Sequence, residues 1–329
     1  MRELRLDPIN NKKIAIATER QDRTFLPPKD YCPLCPTKDK NIPTEIPKSE
    51  YDIVVFENRF PTFNKNPNKI NSYKNSSIFK STESKGICEV VSYTSDHDNF
   101  LEEQTIEKIV KIIRVWADRY NCLSKEDFVK YVLIFENKGT EIGVTLTHPH
   151  CQIYAFSYIP PIPREEIESS YNYFHKNKSC LHCEIIKEEI KGEKRIVAFN
   201  DDFIAFIPFY AKFPYEVHLY PVRHAGNLCE LKYSEIVSLA NLLKELITKY
   251  NELFNFRMPY VMVIHQNPTD GKNYEFYHLH FEFYPPYRTQ NKLKYLAGCE
   301  LGAGTFINDS LPEEKAKELR GIKNNNLFV

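Results

Sequence analysis

The sequence has no charge excess of either sign: 44 lysines and arginines stand against 44 aspartates and glutamates. It therefore offers no global positive field for nucleic acid, and a phosphate-bearing substrate would need basic groups placed locally. Also missing is any run of about 18 apolar residues, the length a membrane helix needs. The opening MRELRLDPINNKK lacks the apolar stretch of a secretory signal. These absences exclude a membrane or nucleic-acid partner from the reading. What is present is the composition of an ordinary globular protein, 42% hydrophobic and 27% charged. A chain of 329 residues can build one large or two medium cores. Nine cysteines without an export signal read as reduced cytoplasmic thiols, available to metal rather than to disulfides.

Short β-branched and aromatic runs predict strands at 13–17, 53–56, 89–93, 131–135 and 152–156 in the first half. A helix falls between them, with Ile106, Ile109, Val110, Ile113 and Val115 near a 3.6-residue period. The second half repeats the order, with strands at 195–199, 203–208, 216–221, 261–265 and 277–284. Its helix runs from about Tyr233 to Phe254, with Ile236, Leu239, Leu242, Leu243 and Leu246 on one face. The Pro-rich, acidic segment 160–168 is expected to be the linker, giving domains 1–165 and 166–329.

The repeat shows most clearly in the residues that bind metals. Cys32-x-x-Cys35, His97 and His148-Pro149-His150-Cys151-Gln152 follow one another in the first half. Cys180-x-x-Cys183, His224 and His278-Leu279-His280-Phe281-Glu282 follow in the same order in the second. Such a long internal period implies duplication of one α+β unit. On a strand, His148 and His150 share a face, so one imidazole can be fixed by a metal while its neighbour meets a substrate. An isolated H-x-H is more often a structural pair; here Glu136-Asn137-Lys138-Gly139 upstream and Gln152 downstream favour function.

The ungapped stretch FENKGTEIGVTLTHPHCQ, residues 135–152, resembles the active-site segment of the galactose-1-phosphate uridylyltransferases of the histidine-triad superfamily. ELRLDP and IATERQDR near the start, Cys32-Pro33-Leu34-Cys35, the segment 55–61, and Phe283-Tyr284-Pro285-Pro286 followed by LKYLAG are similar to the same family. The resemblance implies an α+β fold of two histidine-triad-like units, their largely antiparallel sheets joined into a half-barrel with helices packed on them. It implies a homodimer, acting on a nucleotide sugar and a sugar 1-phosphate in galactose metabolism. His150 would attack the α-phosphorus of UDP-glucose, and the uridylyl-histidine would then pass to the second sugar phosphate. Gln152 stands where hydrolytic relatives carry a third histidine; an amide can hold a phosphoryl oxygen but cannot protonate a leaving group. Arg20 and Arg23 match the phosphate-contacting region, Asn58 and Phe60 the nucleoside pocket, and Asn137 and Thr145 positions nearer the phosphates. The rival readings are a nucleotidyl phosphorylase of the same superfamily, such as one acting on ADP-glucose, and a non-catalytic nucleotide- or zinc-binding protein.

Two thiolates at CxxC spacing suit one zinc, and the resemblance completes a first structural site as Cys32, Cys35, His97 and His148. A second zinc is expected on Cys180, Cys183, His224 and His278. Its rival, carried over from the family, is a site built from Glu166, His265, His280 and Glu282. His175, His182 and His218 read as surface or packing residues, and Cys88, Cys122, Cys229 and Cys299 as small apolar groups. One departure touches specificity. The family's glutamine after the Tyr-Pro-Pro segment is replaced by the stretch 302–309, GAGTFIND, whose backbone amides are candidates for a phosphate.

Overall fold

The computed structural model describes residues 2–70 and 76–322. Along the described chain run the strands β1 (Arg2–Leu6), β2 (Lys13–Ala17), β3 (Val54–Glu57), β4 (Ser81–Glu83) and β5 (Gly86–Ser92), then helix α1 (Ile106–Leu123). There follow β6 (Tyr131–Lys138), β7 (His150–Phe156), α2 (Pro161–Asn177), α3 (Leu181–Gly192), β8 (Ile196–Phe199), β9 (Phe203–Phe206) and β10 (Val217–Pro221). The chain ends with α4 (Tyr233–Phe254), β11 (Tyr260–His265), β12 (His280–Tyr284), the hairpin β13 (Tyr287–Thr289) and β14 (Lys292–Leu293), α5 (Gly298–Ala303) and α6 (Pro312–Gly321).

Nine strands form one sheet in the order β3-β5-β7-β6-β11-β12-β10-β9-β8, every neighbouring pair antiparallel. The succession β5, α1, β6, β7 in the first half answers β10, α4, β11, β12 in the second. In the sheet they lie in mirrored order, meeting at β6 and β11. Along that seam Ile134 pairs with Ile264 and Lys138 with Tyr260. The sheet ends at β3 and β8 and is open, not closed. A small separate sheet, β2-β1-β4, lies beside the first half.

The two long helices cover one face. Their 3.6-residue apolar stripes (Ile109, Ile112, Ile113 and Trp116 on α1; Leu239, Leu242, Leu243 and Leu246 on α4) are all but fully buried in a core that runs across both halves. Each such side chain contributes roughly 1.5–3 kcal/mol by leaving water. The opposite face carries smaller apolar clusters, including Cys32, Leu34 and Val90, and Ile186 of α3 against Phe206 and Tyr220. The candidate site residues lie on that second face, because β7 turns Cys151, Ile153 and Ala155 into the helix-side core and leaves His150, Gln152 and Tyr154 half-buried on the other side.

Two expectations need correction. The segment 160–168 is not irregular but folds as the start of α2, with proline at the first helical position. Proline is tolerated there because the first-turn N–H groups have no partner within the helix. The H-x-H pairs lie at strand entrances rather than within strands: His148 and His278 precede β7 and β12, which begin at His150 and His280. Among the described residues no helix is long and apolar enough to cross a membrane.

Candidate active site

His150 opens β7 beside a cleft of about 110 Å³, lined also by Arg20, Arg23, Asn58, Phe60, Thr145 and Gln152. All but one of the substrate contacts expected from sequence thus converge. The remaining one, Asn137, lines a second cleft of about 100 Å³ that also contains His150, together with Phe100, Lys138 and Arg257. The imidazole stands between the two.

The orientation of His150 follows from a backbone contact. Its Nδ1 lies 2.7 Å from the His148 carbonyl oxygen, so this nitrogen carries the proton and donates it. Nε2 is left with the lone pair. Burial holds the ring's pKa below its ordinary value, opposed by that same hydrogen bond, and favours the neutral form. The Pro149 carbonyl accepts the Tyr93 N–H at 3.2 Å, fixing the chain just before the strand.

Gln152 sits two residues on and faces the same cleft. Its Oε1 accepts from Asn58 Nδ2 and from the Tyr154 hydroxyl, each at 3.4 Å. Arg20 donates to Tyr154 Oη at 3.3 Å and to the Phe60 carbonyl at 3.1 Å. With its oxygen so engaged, Gln152 has its NH₂ as the group available to an anion. The Leu26 N–H donates to the Thr145 carbonyl at 2.8 Å, which ties the arginine-bearing loop to the loop before His148. Gly139 turns the chain after β6 at φ +97°, and a Cβ there would come within 2.5 Å of Pro259. That close approach accounts for glycine after Glu136-Asn137-Lys138.

Among the described residues, three side-chain groups have the makings of metal sites. In the first, the ligand atoms of Cys32, Cys35, His97 and His148 lie within 4.8 Å of one another. Cys35 Sγ is 3.4 Å from His97 Nδ1 and 3.5 Å from His148 Nδ1. The far nitrogens are held from outside: His148 Nε2 is 2.7 Å from the Thr94 carbonyl and 3.0 Å from the Tyr51 hydroxyl, and His97 Nε2 is 3.1 Å from Thr147 Oγ1. That outer shell fixes the tautomer a metal ligand requires. Burial pushes the Cys35 thiol up to about 12, so a bound cation is what would hold it as thiolate.

The second group, Cys180, Cys183, His224 and His278, repeats the arrangement. Cys183 Sγ is 3.5 Å from Nδ1 of both histidines, and His278 Nε2 is 3.1 Å from the Pro221 carbonyl. Both sets of two thiols and two imidazoles fit a four-coordinate zinc ion.

The third group brings Glu166, His265 and His280 within 4.8 Å. Glu282 stands beside them, 3.7 Å from His280 Nε2 and 4.0 Å from His265 Nε2. Burial disfavours a charged His265, yet the Glu166 and Glu282 carboxylates raise it to about 9. The cluster carries negative charge that a cation would balance. The two second-half ligand sets, set against each other at the level of sequence, therefore assemble side by side. His278 belongs to one and His280 to the other.

Several residues escaped the sequence reading. Tyr154 could have been found by the strand's two-residue period from His150 and Gln152. His218, expected as a surface or packing residue, is buried with Nε2 2.9 Å from Glu216 and 3.3 Å from Glu282. Glu136 accepts hydrogen bonds from Tyr93 at 2.5 Å and Tyr260 at 2.7 Å, joining the two halves beneath the second cleft. Nothing local marks these contacts, since the partners are far apart in the chain. The amides of Gly304 and Ile307, expected to face a phosphate, instead donate to the Glu300 backbone carbonyl and side chain.

Models of the N-terminal and C-terminal domains of galactose-1-phosphate uridyl transferase match residues 2–160 and 166–327. A galactose-1-phosphate uridylyltransferase of Thermotoga maritima is 41% identical over 321 residues, 97% of this chain and 98% of its own. A solved structure described as a uridylyltransferase superposes with a TM-score of 0.85 at 38% identity, covering 97% of each chain. An ADP-glucose phosphorylase of Arabidopsis thaliana, solved with bound ADP-glucose, is 24% identical with a TM-score of 0.75 over 98% of this chain and 99% of its own. That last likeness concerns the fold alone. Matches of this length and identity make the protein a transferase. The chain belongs to the galactose-1-phosphate uridyl transferase family.

Proposed function

We propose that the enzyme transfers a uridylyl group between UDP-glucose and galactose 1-phosphate through a covalent intermediate on His150. The observation that carries this reading is the 2.7 Å contact from His150 Nδ1 to the His148 carbonyl, which leaves Nε2 as the nucleophile beside the arginine-bearing cleft. In the first step Nε2 bonds to the α-phosphorus, the bond to the bridging oxygen breaks, and glucose 1-phosphate leaves. In the second, a phosphate oxygen of galactose 1-phosphate attacks the same phosphorus and the N–P bond breaks. Arg20, Arg23 and the Gln152 amide hold the phosphoryl oxygens, while Asn58 and Phe60 hold the nucleoside. Positioning and charge stabilisation dominate such a displacement.

The domain division at residue 165, the origin of both halves by duplication of a histidine-triad-like unit, a half-barrel curvature of the sheet, a homodimer and a cytoplasmic location belong to the same reading. The mirrored strand order and the repeated ligand geometry support the duplication. Zinc would occupy both cysteine–histidine groups, with a structural role that holds the entrances of β7 and β12. The Glu166 group, richer in oxygen, suits a harder divalent cation. The deciding assay compares UDP-glucose plus galactose 1-phosphate with ADP-glucose plus inorganic phosphate. Turnover of the first pair is expected; turnover of only the second would assign the chain to nucleotidyl phosphorolysis instead.

A further inference from the structure

Four of the nine cysteines belong to the two cysteine–histidine groups, and Cys88 and Cys151 are buried in the cores. Of the other three, Cys122 and Cys229 lie against the same turn of α1. Cys122 is in the last turn of that helix, half-buried, with Sγ 3.9 Å from the Asp118 carboxylate. Cys229 comes from the second half, is exposed, and places its Sγ 3.3 Å from the Ala117 carbonyl, one residue along the same turn. Contrary to the sequence reading, it does not pack as a small apolar group.

The loop that carries Cys229 is held against α1. Cys229 lies in a short turn whose Asn227 Oδ1 accepts the Cys229 N–H at 3.0 Å, while Glu230 accepts from Gly226 N and Asn227 Nδ2. The neighbouring Leu228 is buried in the common core. From the other side, Tyr120 of α1 donates to the Asn267 carbonyl at 2.9 Å, and Asn267 N donates to the Gly226 carbonyl at 2.8 Å. The turn of α1 and the loop carrying Cys229 are thus held together by a relay that involves neither thiol. That loop, which follows β10, also carries His224, a member of the second cysteine–histidine group.

We infer that Cys122 and Cys229 form an intramolecular disulfide when the protein meets a disulfide oxidant, tying α1 of the first half to the loop that carries His224. One thiolate attacks a sulfur of oxidised glutathione and releases one reduced glutathione. The second thiolate then displaces the attached glutathione, so two protein thiols are oxidised, one disulfide is reduced, and both protons end on glutathione. Accessibility selects Cys229 as the first to react.

The metal-replete full-length protein is to be incubated with oxidised glutathione, blocked with iodoacetamide, and measured intact and as peptides by mass spectrometry. The expected product lacks two hydrogens, carries no glutathione, and yields a peptide pair joined through Cys122 and Cys229. Cys122→Ser is expected to trap one glutathione on Cys229 while keeping wild-type transfer activity, since neither thiol lies in the clefts at His150. The proposal is overturned if wild-type protein keeps a stable glutathione on Cys229, if both cysteines remain fully alkylated, or if the cross-link joins two chains.

Discussion

The two H-x-H segments of this chain share a backbone and differ in what faces them. His150 Nδ1 is 2.7 Å from the His148 carbonyl, and His280 Nδ1 is 2.9 Å from that of His278. His148 and His278 each approach a cysteine sulfur at 3.5 Å and hand their outer nitrogen to a backbone oxygen. Yet His150 borders two clefts, whereas His280 is 1% exposed and enclosed by Glu166, His265 and Glu282. On the proposed reading, a correctly oriented imidazole is therefore not sufficient for nucleophilic chemistry. It also needs an empty neighbourhood with donors for an anion, and the second half has filled that space with carboxylates.

Substitutions at the paired positions test this contrast most strongly. His150→Asn is expected to lower steady-state transfer by about 10⁴-fold or more, as loss of a covalent nucleophile does. It should also abolish radiolabelling of the protein by nucleotide-labelled UDP-glucose. His280→Asn should leave that labelling intact and act on metal content instead. Substantial turnover by the first variant, or loss of labelling in the second with its metals retained, would break the comparison.

Next in size is Gln152→Glu, which places the second half's residue in the first. A carboxylate beside the phosphoryl oxygens replaces an amide donor by a repelling charge, so kcat should fall roughly 10²-fold. Gln152→His, by contrast, should raise hydrolysis of the nucleotidyl-enzyme relative to transfer, because an imidazole can donate a proton where an amide cannot. The ratio of free UMP to UDP-galactose measures this partition, and an unchanged ratio would remove Gln152 from its control.

For the metals, Cys180→Ser/Cys183→Ser should lose one zinc per chain while retaining most of the transfer activity. Cys32→Ser/Cys35→Ser should lose one zinc and about 10–100-fold in activity, since its His148 fixes the chain that presents His150. Elemental analysis beside the assay separates the two. Full zinc retention by either variant would remove that site.

A smaller effect separates the two long helices. Thr105, a neutral cap, accepts the Lys108 N–H at the start of α1. At the start of α4, the Glu235 carboxylate accepts the Lys232 N–H at 2.6 Å and pairs with Arg223. Arg223 holds the Glu235 carboxyl down to about 2. A depressed carboxyl stabilises fully above its unfolded pKa of about 4.3 and loses that contribution as pH falls towards 2. The melting temperature of wild type should exceed that of Glu235→Gln by a few degrees at pH 6, and the gap should close below pH 4. A gap independent of pH would mean that the charge plays no part.

Much of this arrangement was legible in the sequence. The helix 233–254 was read to its ends, because its apolar period is unbroken over six turns. The short strands were placed within a few residues, since β-branched and aromatic runs report burial directly. The CxxC and H-x-H pairs stand out by residue type, while the family resemblance supplied the completed first cysteine–histidine set and the role expected of His150; the fold brings each set within 4.8 Å. Helices α2 and α3 were missed, α2 because Pro160, Pro161 and Pro163 resemble a linker unless they are seen as a helix's first turn. The Glu166 group, carried over from the family, stood as a rival to the second zinc set because a single second metal was expected; the fold assembles both, with His278 in one and His280 in the other. Only the fold shows that each serves a different cluster. The Tyr93–Glu136–Tyr260 contacts left no trace at all, being created by the meeting of β6 with β11.

That meeting has a mechanical consequence. Five registered residue pairs from Tyr260–Lys138 to Ile264–Ile134 run the backbone ladder straight across from the first half to the second. The halves cannot swing apart like jaws without tearing a sheet down its middle, so entry and release of substrate fall to the loops around the clefts. A fragment ending after β7 would be left with β6 as a bare, apolar, ladder-ready margin. What two domain models divide at residues 160–166 is, to an applied force, a single plate.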